Sequence, residues 1–488
     1  MRSKIIGPPG TGKTTRVLRS IKEYAKREDI NLICACAFTT AAQEEMERRV
    51  KAELSPEEQK KVKCATIHSL AFNHIQVKKT FMVNTLYAFA KHLGERSVIV
   101  NDRVAVSAKT PLEQAISHYH LQRSQMYTTE TSLPKNMAWG EYHYYVQEFE
   151  RWKDVNKLLD YTDVLIRYLN EGVSLDYDAF IVDEAQDLSK LQWAVVEKMS
   201  ANSKDLLAAG DDDQTIYSFA GVLAGDFINW PCDHVEILSH SFRLGKNIHT
   251  YAQHAVNRID KRIPKEYGYS DHESIVFISN DINPTVDLLP YESCAILHRN
   301  GYLVRRTRDM LNKMNLTYSG KGSPFSFGSV MKAIRYWEAW RRGDELEASH
   351  VHQISKYLPD ESPIDRLEDK GRRSLAGPCP FPQKEWYEVL DVPFMDVYKG
   401  VQKAHGLDYL LATPKIEVTT IHQAKGGEWD KVIVVPDVST ATWNEFARGG
   451  NQDAEHRVWY TALTRAKKAL QILRPRTKKF YPLKEDLQ

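Results

Sequence analysis

The chain has 488 residues, 42% of them hydrophobic, with 66 Lys plus Arg against 64 Asp plus Glu and a formal charge of +2. That length calls for two to four domains, and the balanced charge excludes a strongly basic packaging protein and an acidic disordered chain while leaving room for a local basic groove. The sequence lacks an apolar run of about 18 residues, a signal-peptide core behind Met1, and any CxxC pair or zinc spacing among its six Cys, so a cytoplasmic protein with reduced core thiols and no membrane association is expected.

The first predicted element is a short apolar strand at 4–6, followed by Gly7-Pro8-Pro9-Gly10-Thr11-Gly12-Lys13-Thr14 and a helical pattern at 14–26. A G-x-x-x-x-G-K-[ST] loop between strand and helix turns backbone N–H groups toward phosphate oxygens. Lys13 then supplies a point charge to the β/γ-phosphates and the Thr14 hydroxyl a ligand to Mg²⁺. Thr15, next in the helix, is grouped with the loop as ATP-binding. A strand at 32–38 and a helical pattern at 41–51 follow. The stretch 81–170 is mostly helical in pattern and rich in Tyr, Trp and charge, and its aromatic residues read as packing.

A strand at 179–182 ends in Asp183-Glu184-Ala185-Gln186-Asp187. An acid at a strand's C-terminal end, beside a phosphate loop, suits a metal that needs hard oxygens, so Asp183 is expected to hold Mg²⁺ through its water shell. Glu184 is expected to act as general base on the water that attacks the γ-phosphate. Further strands are expected at 205–209, 274–278, 294–297, 416–420 and 431–435, all read as buried strands of parallel sheets. Their alternation with helices predicts an α/β fold of the doubly wound kind, one set of strands in each half. The stretch 343–412 breaks the alternation and carries Pro359, Pro363, Pro378, Pro380, Pro382 and Pro393, which marks an insertion with much loop.

Seven segments in one order extend the phosphate loop into a family pattern. They are 38–49 from Phe38-Thr39-Thr40-Ala41, Thr66-Ile67-His68-Ser69, the acidic run 183–187, Gly210-Asp211-Asp212-Asp213-Gln214-Thr215-Ile216-Tyr217-Ser218-Phe219-Ala220-Gly221, Ser241-Phe242-Arg243, 420–430 from Thr420-Ile421-His422-Gln423, and Tyr460-Thr461-Ala462-Leu463-Thr464-Arg465-Ala466-Lys467. They resemble motifs Ia, Ib, II, III, IV, V and VI of the UvrD/Rep/PcrA group of superfamily 1 helicases. The resemblance implies two RecA-like P-loop NTPase domains, parallel sheets flanked by helices, with a mainly helical insertion in the first and a small loop-rich insertion in the second. The implied boundaries are 1–74 with 168–234 for motor domain 1A, 75–167 for insertion 1B, 235–342 with 413–488 for motor domain 2A, and 343–412 for a reduced 2B-like insertion.

The resemblance also implies an ATP-dependent DNA helicase that uses ATP and Mg²⁺, moves 3′ to 5′ on single-stranded DNA, unwinds tailed duplex and acts as a monomer. Arg243 and Arg465 match the family's two arginine fingers, Gln214 its γ-phosphate sensor and Glu428 the acid that binds ribose. Phe38, Tyr217 and Phe219 match base-stacking positions, and Thr39, Thr66, His68, Thr420 and His422 fall at DNA-contact positions. Asp211, Asp160 and Asp163 are expected to be structural. Only six residues precede Gly7, so the family's adenine-reading stretch is expected to be missing. Thr40, Ala41, Ala220, Ser241 and Gly427 depart from the usual residues, and Gly427 is expected to loosen its loop. Basic surface is expected along the DNA channel alone. Two other activities fit parts of the pattern: a DNA-stimulated ATPase that strips nucleoprotein without unwinding, and a non-hydrolysing nucleotide switch, against which Glu184, Arg243 and Arg465 argue.

Overall fold

The computed structural model describes residues 1–75, 85–95, 110–127, 132–134, 136–359 and 378–483. Among the described residues thirteen strands occur in this order: β1 (Arg2–Ile6), β2 (Ile33–Ala37), β3 (Val62–Thr66), β4 (Ala179–Val182), β5 (Asp205–Gly210), β6 (His234–Ile237), β7 (His240–Gly245), β8 (Gly268–Ser270), β9 (Ile275–Ser279), β10 (Cys294–His298), β11 (Ile416–Thr420), β12 (Trp429–Val435) and β13 (Ala466–Leu473). They fall in two compact units, one of Met1–Glu273 with Arg448–Thr464, the other of Ser274–Ala447 with Arg465–Gln488.

The first unit is built on a parallel sheet of order β3-β2-β4-β5-β1-β6. Successive side chains alternate between its faces, and both faces are apolar because both are covered. Ile5, Ile33, Ala35 and Ile181 pack with Val17, Leu18 and Ile21 of the helix Lys13–Ala25 and with Met46 and Val50 of the helix Thr40–Glu53. Cys34, Cys36, Phe180 and Val182 face Trp193, Val196 and Met199 of the helix Lys190–Met199. All six Cys residues are free thiols; Cys34, Cys36 and Cys294 are buried as expected of core thiols, whereas Cys64, Cys232 and Cys379 are half-buried.

Between β3 and β4 the described residues are helical, at Thr85–His92, Pro111–Ser124, Trp139–Asn156 and Tyr161–Glu171. The first three enclose a core of Leu86, Phe89, Leu112, Ile116, Tyr142, Phe149 and Trp152, so these aromatic residues do pack. Asp160 caps the helix Tyr161–Glu171 in a reciprocal box with Asp163, and both carboxylates pair with Arg123 and Lys153. This is the structural role expected of them.

The second unit holds a parallel sheet of order β11-β10-β12-β13-β9. Its core joins Ile296, Val418 and Ile433 to Trp337, Trp386 and Tyr398. The described part of 343–412 contributes short helices at Ala348–Ser355, Met395–His405 and Leu407–Leu411, joined by proline-bearing loops; Pro363 lies outside the described residues. One strand expectation needs correction: the strand at 274–278, read as buried, is the outer strand β9, paired only with β13 and leaving Ile275 exposed. An apolar run cannot by itself tell a central strand from an outer one.

The implied boundary at 234–235 falls inside the first unit. There β7 pairs with β8 rather than with the second sheet. The helix Gln452–Leu463 buries Val458, Trp459 and Tyr460 in this unit, with the Tyr267 and Tyr460 hydroxyls 2.7 Å apart and Arg457 Nε donating to Asp212 O at 2.8 Å. Among the described residues no helix is long and apolar enough to cross a membrane.

Candidate nucleotide and nucleic-acid site

β1 delivers the chain to Gly7, whose N–H donates to Gly210 O at the end of β5 at 2.9 Å. Gly10 and Gly12 then take left-handed φ values of +75° and +76°, where a Cβ costs about 1–2 kcal/mol. A Cβ on Gly10 would also collide with the Cβ of Arg243. The loop is pinned from β7, since Ser241 Oγ donates to Pro9 O at 2.7 Å and the Phe242 N–H donates to Gly10 O at 2.8 Å. Ser241, one of the departures from the family pattern, is thus fully buried and serves as a loop anchor. No side chain caps the start of the helix Lys13–Ala25, so its first N–H groups and dipole are directed at the loop.

Lys13 and Thr14 meet the end of β4. Lys13 Nζ is 2.7 Å from Glu184 Oε1, and Thr14 Oγ1 donates to Asp183 Oδ2 at 3.3 Å. Burial works against the Lys13 ammonium, but Glu184 and Asp183 outweigh it and its pKa lies above the usual lysine value. Burial pushes the Asp183 carboxyl upward, against the pull of Lys13. Glu184 holds a left-handed φ of +54°, rare for a residue with a side chain, which turns its carboxylate back toward Lys13. The Thr14 hydroxyl and Asp183 carboxylate form an oxygen pair of the kind Mg²⁺ accepts, so the residues fit the expected metal.

Gln186 was not anticipated from sequence. Its Nε2 donates to Glu184 Oε2 at 2.6 Å, and its Oε1 accepts from the Asp211 N–H at 3.1 Å. Asp211 in turn accepts from Gln214 Nε2 at 2.7 Å and is fully buried, a structural placement as expected. Arg243 also lies in this first unit, its Nη1 3.4 Å from Thr464 O. Phe242 is a second unanticipated residue: it is 70% exposed, and its ring edge lies 3.9 Å from the point a Cβ on Gly12 would occupy. Its only sequence signal is its place beside Arg243.

Among the expected DNA-contact residues, Phe38 stacks on Tyr217 at 6.0 Å, and Tyr217 meets Phe219 edge-on at 6.0 Å. Thr39 and Thr66 cap the helices Thr40–Glu53 and Ile67–His74. His68 lies half-buried against Tyr161, and burial lowers its pKa to about 4. Thr15 is exposed on the first turn after the loop.

The remaining candidates belong to the second unit. Thr420 Oγ1 donates to Gln423 Oε1 at 3.1 Å, and half-buried His422 follows in the same turn. Glu428 is exposed and pairs with Lys467 at 2.8 Å, whereas Arg465 is buried with its Nη1 3.4 Å from Gly427 O. A Cβ on Gly427 would collide with the Trp429 ring, so the glycine permits close packing there.

A phosphate loop at the C-terminal edge of a doubly wound parallel sheet, with acids following β4, one strand beyond β5 rather than directly beside β1, defines a P-loop nucleotide-binding protein. The family model described as the UvrD/REP helicase N-terminal domain matches residues 2–227, and that of the UvrD-like helicase C-terminal domain matches 401–476. The chain belongs to the UvrD-like helicases of superfamily 1. It is 24% identical over 445 residues to the ATP-dependent DNA helicase PcrA of Leuconostoc citreum, covering 82% of this chain and 57% of that protein. It is 23% identical to the ATP-dependent DNA helicase srs2 of Schizosaccharomyces pombe, covering 77% of this chain and 49% of that protein. Against the ATP-dependent DNA helicase Rep of Buchnera aphidicola the identity is 23%, covering 75% of this chain and 63% of that protein. The chain therefore spans about half to three-fifths of the length of these relatives.

Proposed function

We propose that this chain hydrolyses ATP with Mg²⁺ to move 3′ to 5′ along single-stranded DNA and to unwind tailed duplex. The observation that carries the reading is the convergence of Lys13, Thr14, Asp183 and Glu184 at one sheet edge, in a chain whose family relatives are DNA helicases. The Lys13 ammonium exchanges Glu184 for phosphate oxygens when nucleotide enters, which leaves the Glu184 carboxylate to accept a proton from the attacking water. Thr14 and Asp183 would hold Mg²⁺, which when bound would supply charge neutralisation at the phosphates. Gln214, Arg243 and Arg465 stabilise the charge that develops on the γ-phosphoryl group. Phe242 offers an exposed face to the nucleobase and Glu428 a carboxylate to the ribose. Phe38, Tyr217 and Phe219 stack DNA bases at about 1–3 kcal/mol each, with Thr39, Thr66, His68, Thr420 and His422 along the strand. Residues 75–167 and 343–412 serve as the family's two insertions, and the chain acts as a monomer.

Two measurements test this. Lys13→Ala is expected to abolish DNA-stimulated phosphate release, and a variant that kept it would overturn the reading. Strand displacement is expected from a 3′-tailed duplex; displacement only from a 5′ tail would refute the polarity, and translocation without displacement would assign the chain to nucleoprotein stripping.

A further inference from the structure

Asp211, Asp212 and Asp213 are all fully buried, with carboxylate oxygens within 4.8 Å of one another. Three like charges so close and so dry repel strongly unless cations join them. The Lys265 ammonium reaches all three, at 3.1, 2.5 and 2.9 Å, and its side chain is itself 0% exposed. Arg262 makes a two-pronged bond to Asp213, with Nε 3.0 Å from Oδ1 and Nη2 2.6 Å from Oδ2. The Ile263 N–H donates to Asp212 Oδ2 at 2.9 Å. No helicase motif named above contains Lys265.

The geometry bears on the site because Asp211 has a second task. An ionised carboxylate only accepts hydrogen bonds, so the Gln214 side chain must turn its Nε2 toward Asp211, which it does at 2.7 Å. With one Nε2 hydrogen given to Asp211, the direction of the amide sets where its second N–H points, toward the developing γ-phosphoryl charge, and where its oxygen points, toward the attacking water. Through Gln186 the Asp211 backbone also reaches Glu184, and through Glu184 it reaches Lys13.

We propose that Lys265 is a positioning residue for hydrolysis: by joining the three carboxylates it holds Asp211 where that carboxylate fixes the orientation of the Gln214 amide. This rests on the ATPase reading given above. The Lys265 side chain is fully buried against the three carboxylates, so its effect on hydrolysis runs through Asp211 to Gln214.

The test uses the full chain and DNA-stimulated ATP hydrolysis by wild type, Lys265→Met, Lys265→Met/Asp212→Asn, Lys265→Arg, Gln214→Ala, and Gln214→Ala added to each of the two Met variants. Lys265→Met leaves buried carboxylates uncompensated and can fail to fold. Lys265→Met/Asp212→Asn removes one cation and one anion together, keeps the cluster's charge balance, and serves as the folded counterpart, with its thermal midpoint as the check. The expected result is a kcat about 10- to 100-fold lower for the Met variants, from a misplacement of about 1 Å, with KM for ATP nearly unchanged. Arginine restores most of the loss, and Gln214→Ala adds less than about 2-fold on either Met background, because both changes remove one function. Multiplying losses, or wild-type kcat in the charge-balanced variant, would overturn the proposal and leave the ATPase reading standing. A wild-type chain without DNA-stimulated turnover would instead overturn the ATPase reading, and this proposal with it.

Discussion

At the residue scale the proposed nucleotide site turns on the Lys13–Glu184 pair, in which the lysine lies 2.7 Å from the carboxylate proposed as base. Glu184→Gln removes the proton acceptor but leaves the loop and Lys13 intact. It is expected to lower kcat by about 10²- to 10⁴-fold while nucleotide affinity stays level or rises, as read by phosphate release beside a fluorescent-nucleotide titration. His68 gives a pH prediction. Burial lowers its folded pKa from the ordinary 6.5 to about 4, so between these values the unfolded chain binds more protons. Stability is therefore full above about pH 6.5 and falls as the pH drops toward 4. Melting at pH 5.0 relative to 7.5 should be less depressed for His68→Gln than for wild type. That Lys13, Asp183 and Glu184 meet at one sheet edge was legible because a phosphate loop and a strand-end acid keep their spacing in the chain. The contacts of Gln186 with Asp211, of Phe242 with Gly10 and of Lys265 with the three aspartates were not, since they join residues remote in sequence.

Among the elements, the best specified are those whose local signals agree with their burial. The helix Thr40–Glu53 starts at a threonine cap and buries Met46 and Val50, and the pattern at 41–51 had marked it. The strands β3, β6 and β13 carry Lys63, Glu236 and Lys467 within short runs, which diluted the apolar signal. β9 looked like a central strand because an outer strand packed on one face is still apolar. The capping box that starts Tyr161–Glu171 is joined to a buried ion cluster, Asp160 being 1% exposed between Arg123 and Lys153. Burial works to raise the Asp160 pKa, but His120, Arg123 and Lys153 together hold its carboxyl far below the usual carboxylate range. Its contribution is thus present at neutral pH and lost as the pH falls below the unfolded value of about 3.9. Asp160→Ala removes the helix cap and one of the two aspartates shared by Arg123 and Lys153, leaving Asp163 as their remaining partner in the box, and should cost about 2–3 kcal/mol, read as a lower urea midpoint.

At the scale of the whole molecule, the chain passes between its two units after Glu273, Ala447 and Thr464. A fragment ending at Glu273 would lack the helix Gln452–Leu463 and expose the surface that Trp459 and Tyr460 cover, together with the Asp212–Arg457 contact. It is expected to be aggregation-prone when expressed alone, and co-expression with 448–464 fused by a short linker should raise its soluble yield, measured by size exclusion. The sequence by itself determined the fold class, the phosphate loop and its acids, and the family, because each depends on residues adjacent in the chain or on strand and helix periodicity. Tertiary structure alone decided that Ser241 anchors the loop, that Gly427 makes room for Trp429, and that Arg243 and the helix Gln452–Leu463 belong with the first sheet. It alone brought Lys265 to the three aspartates. Burial and close approach are properties of space rather than of spacing along the chain, and a lysine surrounded by carboxylates reads, in one dimension, like any lysine on a surface.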